Sequence, residues 1–192
     1  MLNPKTKIQG SRIILTKAEK SFAMAQNHFM AFKESITELA PWLSWATPDY
    51  KVEDSYEYLL QCSQKWNKGE DYTYIISDNS TSFMGTISAA NIHESDKTME
   101  IGYWIATKYA GKGYMQEAVS LMEKEFFGQG INRIVIYTDV LNLKSANVAQ
   151  KRGYVLEGIS RQSNWDKTEQ RYRDRNVFAK LKQDFEKEKQ EA

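Results

Sequence analysis

Residues 99–113 read MEIGYWIATKYAGKG, and the pattern of this segment changes halfway along. Over residues 99–106, Ile101, Tyr103 and Ile105 alternate with the other side chains, as in a β-strand. Two glycines follow, and beyond them apolar residues recur at i, i+3, i+4 and i+7, which is the spacing of an amphipathic helix. The segment therefore predicts a strand, a glycine turn and a helix.

The turn Gly111-Lys112-Gly113 lies where free N–H groups and the helix dipole can bind an anion, and glycines let a phosphate approach the backbone. Two glycines that only make a tight turn are the alternative. Gly113 and Tyr114 follow Lys112, which excludes a P-loop. Gln116 stands where a dinucleotide fingerprint requires its third glycine, so that motif is excluded as well.

The rest of the chain predicts a mixed sheet. A helix joins the strands at residues 99–106 and 133–140 in a β-α-β unit, so these two strands should be parallel, with a ligand site at their carboxyl ends. We therefore expect an α/β (α+β) fold, in which a mainly antiparallel sheet has helices on both faces. The other predicted strands are Arg12–Thr16, Tyr72–Ser77, Ser82–Ile92, Tyr154–Ile159 and Asn176–Leu181, and the other helices are Ala18–Lys33, Val52–Asn67 and Ser145–Arg152.

Length and composition limit the class of protein. The 192 residues predict a single domain over 1–192, with a core at about 12–181 and a charged, mostly solvated tail at 183–192. With 26 basic and 25 acidic residues, no net field favours nucleic acid or an anionic membrane. The longest apolar runs are four residues, too short for a membrane span, and Cys62 has no second cysteine to pair with. We expect a cytoplasmic protein.

Three motifs resemble those of the GNAT acyltransferases and, within them, of the RimJ/RimL-type ribosomal-protein N-acetyltransferases. The resemblance extends over about residues 12–181, and Lys108 replaces the usual Arg or Gln. The motifs are a pyrophosphate loop Lys108-x-x-Gly111-x-Gly113 after the strand Glu100–Ala106, a segment Asn142-x-x-Ser145 that ends in Gly153-Tyr154, and a Trp-rich corner at Pro41–Trp45.

The resemblance implies a GNAT-like sheet whose central parallel strands splay apart, with acetyl-CoA as acetyl donor. Backbone groups near the end of the first splayed strand would bind the pantetheine arm, and the glycine loop would bind the pyrophosphate. Trp42 and Trp45 either line the acceptor pocket or pack helices onto the sheet. The implied cofactor-binding residues are Trp104, Ile105, Ala106, Gly111, Lys112, Gly113, Tyr114, Met115, Asn142 and Ser145.

Transfer of an acetyl group to an amine needs a group that removes a proton from the ammonium. Glu100 is the first candidate, acting through water, because its strand leads into the loop; a solvent-facing carboxylate is the alternative. RimL-type proteins have their base on a Glu after the segment that matches Gly153-Tyr154, where this chain has no Glu. Asp166, Glu169 or water alone therefore stay open as bases.

Ser145 is the candidate donor that stabilises the developing oxyanion and protonates the departing thiolate. Asn142 or Ser145 could equally be the N-cap of the helix that begins there, and Tyr154 is a second candidate acid. His28 and His93 have no further ligands at metal spacing, so we expect no metal.

The resemblance favours acetylation of the N-terminal α-amine of a ribosomal protein, by direct transfer in a ternary complex. A small-molecule amine acetyltransferase, acting on a polyamine, an aminoglycoside or an amino-acid conjugate, and a non-catalytic acyl-CoA sensor are the alternatives. The family also implies a homodimer. The cluster Arg171–Arg175 predicts a salt-bridged, solvated loop, with contact to an acidic protein or to rRNA as the alternatives.

Overall fold

A computed structural model describes residues 2–166 and 169–191, and within them the chain forms one eight-stranded sheet with six α-helices. A single 3-10 turn, Thr107–Tyr109, follows the fifth strand. The strands are β1 (Lys7–Gln9), β2 (Ile13–Lys17), β3 (Tyr72–Asp78), β4 (Phe83–His93), β5 (Thr98–Ile105), β6 (Arg133–Asp139), β7 (Val155–Asp166) and β8 (Arg171–Leu181). The helices are α1 (Phe22–Lys33), α2 (Ile36–Leu39), α3 (Val52–Lys68), α4 (Tyr114–Gly128), α5 (Leu143–Lys151) and α6 (Lys182–Glu191).

The sheet has the order β1-β2-β3-β4-β5-β6-β8-β7 and is antiparallel except between β5 and β6. These two strands form the predicted parallel pair of the β-α-β unit, with α4 as the crossover helix. The pairing extends only from Thr98↔Arg133 to Glu100↔Val135, although β5 continues to Ile105 and β6 to Asp139. The two strands therefore diverge over their carboxyl halves, as the splayed sheet of the resemblance predicts.

Helices cover both faces of the sheet, as predicted. Trp104 packs in a core with Phe32 of α1 and Leu59 of α3, while Ile101 packs in the other core with Val119 of α4. Because neighbouring residues of a strand face opposite sides, β5 contributes to both cores. We call these sides the α1–α3 face and the α4–α6 face. Within the described residues, no helix combines the length and the apolar character that crossing a membrane would require.

The hairpin of β7 and β8 is longer than predicted. β7 continues from the predicted end at Ile159 to Asp166, and β8 begins at Arg171 instead of Asn176. The prediction of a loop at Arg171–Arg175 is therefore wrong, although its expected salt bridges are present. The polar residues of this part of the hairpin do not show apolar alternation, so the pattern gave no strand signal there.

Both ends of the chain contain structure that the pattern did not reveal. β1 has only three residues and pairs antiparallel with β2. The predicted charged tail forms α6, whose Phe185 is buried against Phe127 of α4, with ring centroids 5.1 Å apart. Most of the other described side chains of α6 are exposed, as predicted. The ring of Phe185 and an ion pair between Glu188 and the buried Lys180 of β8 (2.6 Å) hold this helix on the sheet.

Candidate active site

A cleft of about 640 Å³ opens where β5 and β6 diverge. Its walls come from both faces of the sheet: Tyr103 and Ser145 line it on the α4–α6 face, and Trp42 and Glu100 line it on the α1–α3 face. The cleft thus joins the two faces through the gap between the strands. This is the carboxyl end of the parallel pair, where the sequence predicts a ligand site.

The glycine turn forms one end of the cleft. Gly111 (φ +76°) and Gly113 (φ +81°) both have left-handed backbone conformations, which glycine adopts without strain. Gly113 is the N-cap of α4, so the first N–H groups of a 15-residue helix open into the cleft wall formed by Tyr114 and Met115. Free N–H groups and the helix dipole at this position are suited to a phosphate-bearing ligand.

Arg12 supports this loop from behind, which sequence reasoning missed. Its guanidinium donates to the carbonyl oxygens of Lys112 (3.0 Å) and Gly113 (3.2 Å), and its Nε pairs with Glu117 at 2.8 Å. Burial opposes ionisation of Glu117, but hydrogen bonds from Arg12 and Ser11 outweigh it and lower the pKa of this carboxyl. Arg12 lies about a hundred residues from its partners, so no local pattern could reveal the contact.

The backbone at the end of β5 is partly engaged within the protein. The N–H of Ala106 donates to the carbonyl of Met84 (2.8 Å), and its carbonyl accepts from the N–H of Tyr109 (2.9 Å), so contact of Ala106 with the pantetheine arm stays a prediction. Strand β4 lies very close here, because a Cβ on Gly85 would be 2.2 Å from the carbonyl oxygen of Trp104. The backbone available to a ligand is therefore on the β6 side of β5, before Ala106.

Ser145 is held at the cleft by two contacts. Asn142 is the N-cap of α5, and its side-chain oxygen accepts from the N–H of Ser145 at 3.0 Å, which confirms the N-cap interpretation for Asn142. The Oγ of Ser145 lies 3.1 Å from the hydroxyl of Tyr103, whose pKa burial raises to about 12. Tyr103 is thus a protonated partner of Ser145. In the sequence Tyr103 shares the alternation of Ile101 and Ile105, which predicts a strand but not this contact. Tyr154 is buried in the core and does not line the cleft.

Glu100 is half-buried and lines the cleft on the α1–α3 face, where Asn91 donates to its carboxylate at 2.8 Å. The two other candidate bases lie elsewhere. Asp166 pairs with Arg173 at 3.3 Å and Glu169 pairs with Arg171, and neither carboxylate lines the cleft. Among the candidate bases, the geometry places Glu100 alone beside the gap.

The Trp-rich corner divides between two cavities. Trp42 lines the cleft. Trp45 lies outside the cleft: it packs against Phe32 (5.0 Å between ring centroids) and Tyr50 (5.5 Å) and borders a separate cavity of about 450 Å³. The alternative interpretation, that Trp45 packs helices onto the sheet, agrees with these contacts.

The cleft therefore brings together most of the residues that the sequence singled out. Lys112 is exposed, and neither Lys112 nor Ala106 lines the cleft. In the part of the chain that the structure describes, no three His, Cys, Asp or Glu side chains are grouped to hold a metal ion. The predicted residues that do line the cleft are Trp42, Glu100, Trp104, Ile105, Gly111, Gly113, Tyr114, Met115, Asn142 and Ser145.

Residues 12–155 match the family described as the acetyltransferase (GNAT) domain. The chain therefore belongs to the GNAT acetyltransferase family. It is 27% identical over 164 residues to the ribosomal-protein-serine acetyltransferase of Escherichia coli (strain K12), a match that covers 83% of this chain and 90% of that protein.

Solved structures share the fold. RimL, the ribosomal L7/L12 alpha-N-protein acetyltransferase in complex with coenzyme A, superposes with a TM-score of 0.82 at 23% identity, over 91% of this chain and 97% of its own. The microcin C7 self-immunity acetyltransferase MccE, in complex with acetyl-CoA and AMP, gives a TM-score of 0.82 at 23% identity, over 89% and 93%. At this identity the likeness concerns the fold alone.

Proposed function

We propose that this enzyme transfers an acetyl group from acetyl-CoA to the N-terminal α-amine of a protein, with ribosomal proteins as the first candidates. The observation that carries the proposal is the cleft through the sheet, which joins the glycine loop on the α4–α6 face with Glu100 and Trp42 on the α1–α3 face. A donor and an acceptor can therefore meet in the gap from opposite faces. The relative named ribosomal-protein-serine acetyltransferase supports the substrate class.

On the α4–α6 face, the chain offers a binding site for the donor. The first N–H groups of α4 would bind the pyrophosphate, with Arg12 fixing the loop through the carbonyls of Lys112 and Gly113. The edge of β5 beyond Glu100 is released from β6, so its backbone can bond an extended arm as an added strand would. When bound, acetyl-CoA supplies the thioester and hence the acetyl group.

The residues around the gap can move the protons of a direct transfer. An α-amine has a pKa of about 8 and is partly protonated near neutrality, so Glu100 would accept its proton, directly or through one water. The amine nitrogen then bonds to the acetyl carbon as the carbon–sulfur bond breaks, and the nitrogen releases its second proton to water, which leaves the neutral amide. The hydroxyl of Ser145, supported by Tyr103 at 3.1 Å, would donate a proton to the departing thiolate and regain one from water.

The enzyme would act in the cytoplasm, where ribosomal proteins are made. A single domain over residues 1–192 and a homodimer remain predictions alongside this function. Sedimentation velocity of the purified chain tests whether it is a dimer, since a single species of 22.3 kDa would contradict the homodimer.

The test of the proposed function is release of free thiol from acetyl-CoA, compared across N-terminal peptides, the same peptides with a blocked α-amine and a free lysine, polyamines and aminoglycosides. We expect turnover only where a free α-amine is present. Preference for small amines would replace the proposal with a small-molecule acetyltransferase. Tight binding of acetyl-CoA without turnover on any acceptor would indicate an acyl-CoA sensor.

A further inference from the structure

Two arginines of β8 lie on the α1–α3 face of the sheet, and one of them, Arg175, lines the cleft. Arg173 and Arg175 share this face because alternate residues of a strand point the same way. Arg173 identifies the face: it donates to the backbone carbonyl of Pro41 and lies over the ring of Trp42 at 5.5 Å, just after helix α2. Both guanidinium groups are therefore on the side from which the acceptor enters.

Arg173 has its charge balanced within the protein. Its side chain is only 9% exposed, and it lies 3.4 Å from Asp139 and 3.3 Å from Asp166. Asp139 also accepts the N–H of Leu141 at 2.8 Å. Arg173 thus pairs with both of these carboxylates.

Arg175 differs from Arg173 in having no such partner. Its guanidinium lies over Tyr137 at 4.6 Å, and its Nε donates to Ser163 at 3.0 Å, which fixes the side chain while it lines the cleft. Among residues 2–166 and 169–191, no carboxylate lies within ion-pair distance of it, and its two Nη nitrogens donate to no other group. A held, half-buried guanidinium without a counter-charge is a binding group for a carboxylate.

We propose that Arg175 binds a carboxylate of the acceptor, so that the enzyme prefers peptides with Asp or Glu close to the reactive N-terminus. This inference rests on the proposed function, because it takes the acceptor to be a peptide. Glu100 lies on the same face of the sheet, beyond β6, so the cleft presents a negative group to the ammonium and a positive group to the carboxylate. An acidic N-terminal segment matches both charges.

The spacing of the strands sets where the acid should be. Arg175 is on β8, directly beside β6, and β6 borders the gap. Neighbouring strands are about 4.8 Å apart, so the guanidinium is within about 10 Å of the gap. An extended peptide advances about 3.3 Å per residue, and the acid is therefore expected at the second or third residue of the acceptor.

The test compares two peptides that differ only at this position, one with Asp or Glu and one with the matching Asn or Gln, on wild type, Arg175→Gln and Arg171→Gln. Arg171 is the matched control, since it is on the same face of β8 but is half exposed, pairs with Glu169 and does not line the cleft. We expect wild type and Arg171→Gln to favour the acidic peptide in kcat/KM by about tenfold or more. Arg175→Gln should lose this preference while the KM for acetyl-CoA stays unchanged.

Three outcomes would overturn the inference. Equal kcat/KM for the acidic and amide peptides in wild type would show that no group reads the carboxylate. A loss in Arg175→Gln that is the same for both peptides would make Arg175 a structural residue. If no peptide is acetylated at all, the proposed function fails and this inference fails with it, whereas the first two outcomes leave the proposed function intact.

Discussion

Replacing Gly111 with alanine tests whether the loop before α4 binds the donor. Gly111 has φ +76° and no other atom within 4 Å of the position a Cβ would take, and it lines the cleft. Gly130 is the matched control: it has φ +97°, has equally open space around it and lies beyond the far end of α4. The two variants therefore carry the same kind of backbone strain, and only one of them adds a methyl group to the cleft.

The strain should cost each variant about 1–2 kcal/mol of folding stability, because a left-handed backbone is unfavourable for alanine. For a chain of this length that lowers Tm by about 2–8 °C. Only Gly111→Ala places its methyl group where the phosphates approach. Loss of one charge-assisted N–H bond to phosphate corresponds to about tenfold or more in affinity.

Differential scanning fluorimetry and calorimetric titration with acetyl-CoA measure the two effects. The expected pattern is a similar fall in Tm for both variants and a rise in the Kd of acetyl-CoA for Gly111→Ala alone. Wild-type affinity in Gly111→Ala would refute the placing of the phosphates at this loop. An equal rise in the Kd of acetyl-CoA in both variants would show that backbone strain at either end of α4, and not the added methyl group in the cleft, weakens binding.

Three further predictions concern turnover and pH. Ser145→Ala should lower kcat with little change in the KM for acetyl-CoA, and unchanged kcat in steady-state assays would remove Ser145 as the acid. Glu100→Gln should slow transfer, with part of the rate recovered as pH rises because hydroxide supplies the neutral amine; a pH profile like that of wild type would exclude Glu100. Burial lowers the pKa of His28 to about 4, so its neutral form is favoured in the fold, and between about pH 6.5 and 4 only the unfolded chain gains the proton. The free energy of unfolding should therefore fall on acidification by up to about 1.4 kcal/mol per pH unit. In urea unfolding at several pH values, His28→Gln should show a smaller change of this free energy with pH than wild type. The same change in both proteins would contradict the reasoning.

The central β-α-β unit was predictable from the sequence because its signals are local. Alternation identifies β5, the glycines identify the turn, and helical spacing identifies α4, each within a window of about fifteen residues. The chain connection then fixes β5 and β6 as parallel. The positions of Gly111, Gly113 and Glu100 beside the gap follow from these elements alone.

The parts of the site that escaped prediction depend on contacts between distant residues. Arg12 reaches Lys112 and Gly113, and Arg173 reaches Asp139, without any pattern in the sequence that connects them. The sequence left two interpretations open for Trp45 for a related reason. An aromatic cluster signals burial but not which of two neighbouring cavities each ring borders.

Tyr103 and Trp104 show how one strand supplies both halves of the site. They are adjacent in β5, so their side chains point to opposite faces: Tyr103 contacts Ser145 on the α4–α6 face, and Trp104 packs in the α1–α3 core. A shift of β5 by one residue would exchange the two faces and separate Glu100 from the acceptor side. The close approach of β4 at Gly85 works against such a shift, because only a residue without a Cβ fits against the carbonyl of Trp104. The same contact that makes Gly85 necessary therefore keeps the donor and acceptor sides of the cleft in register.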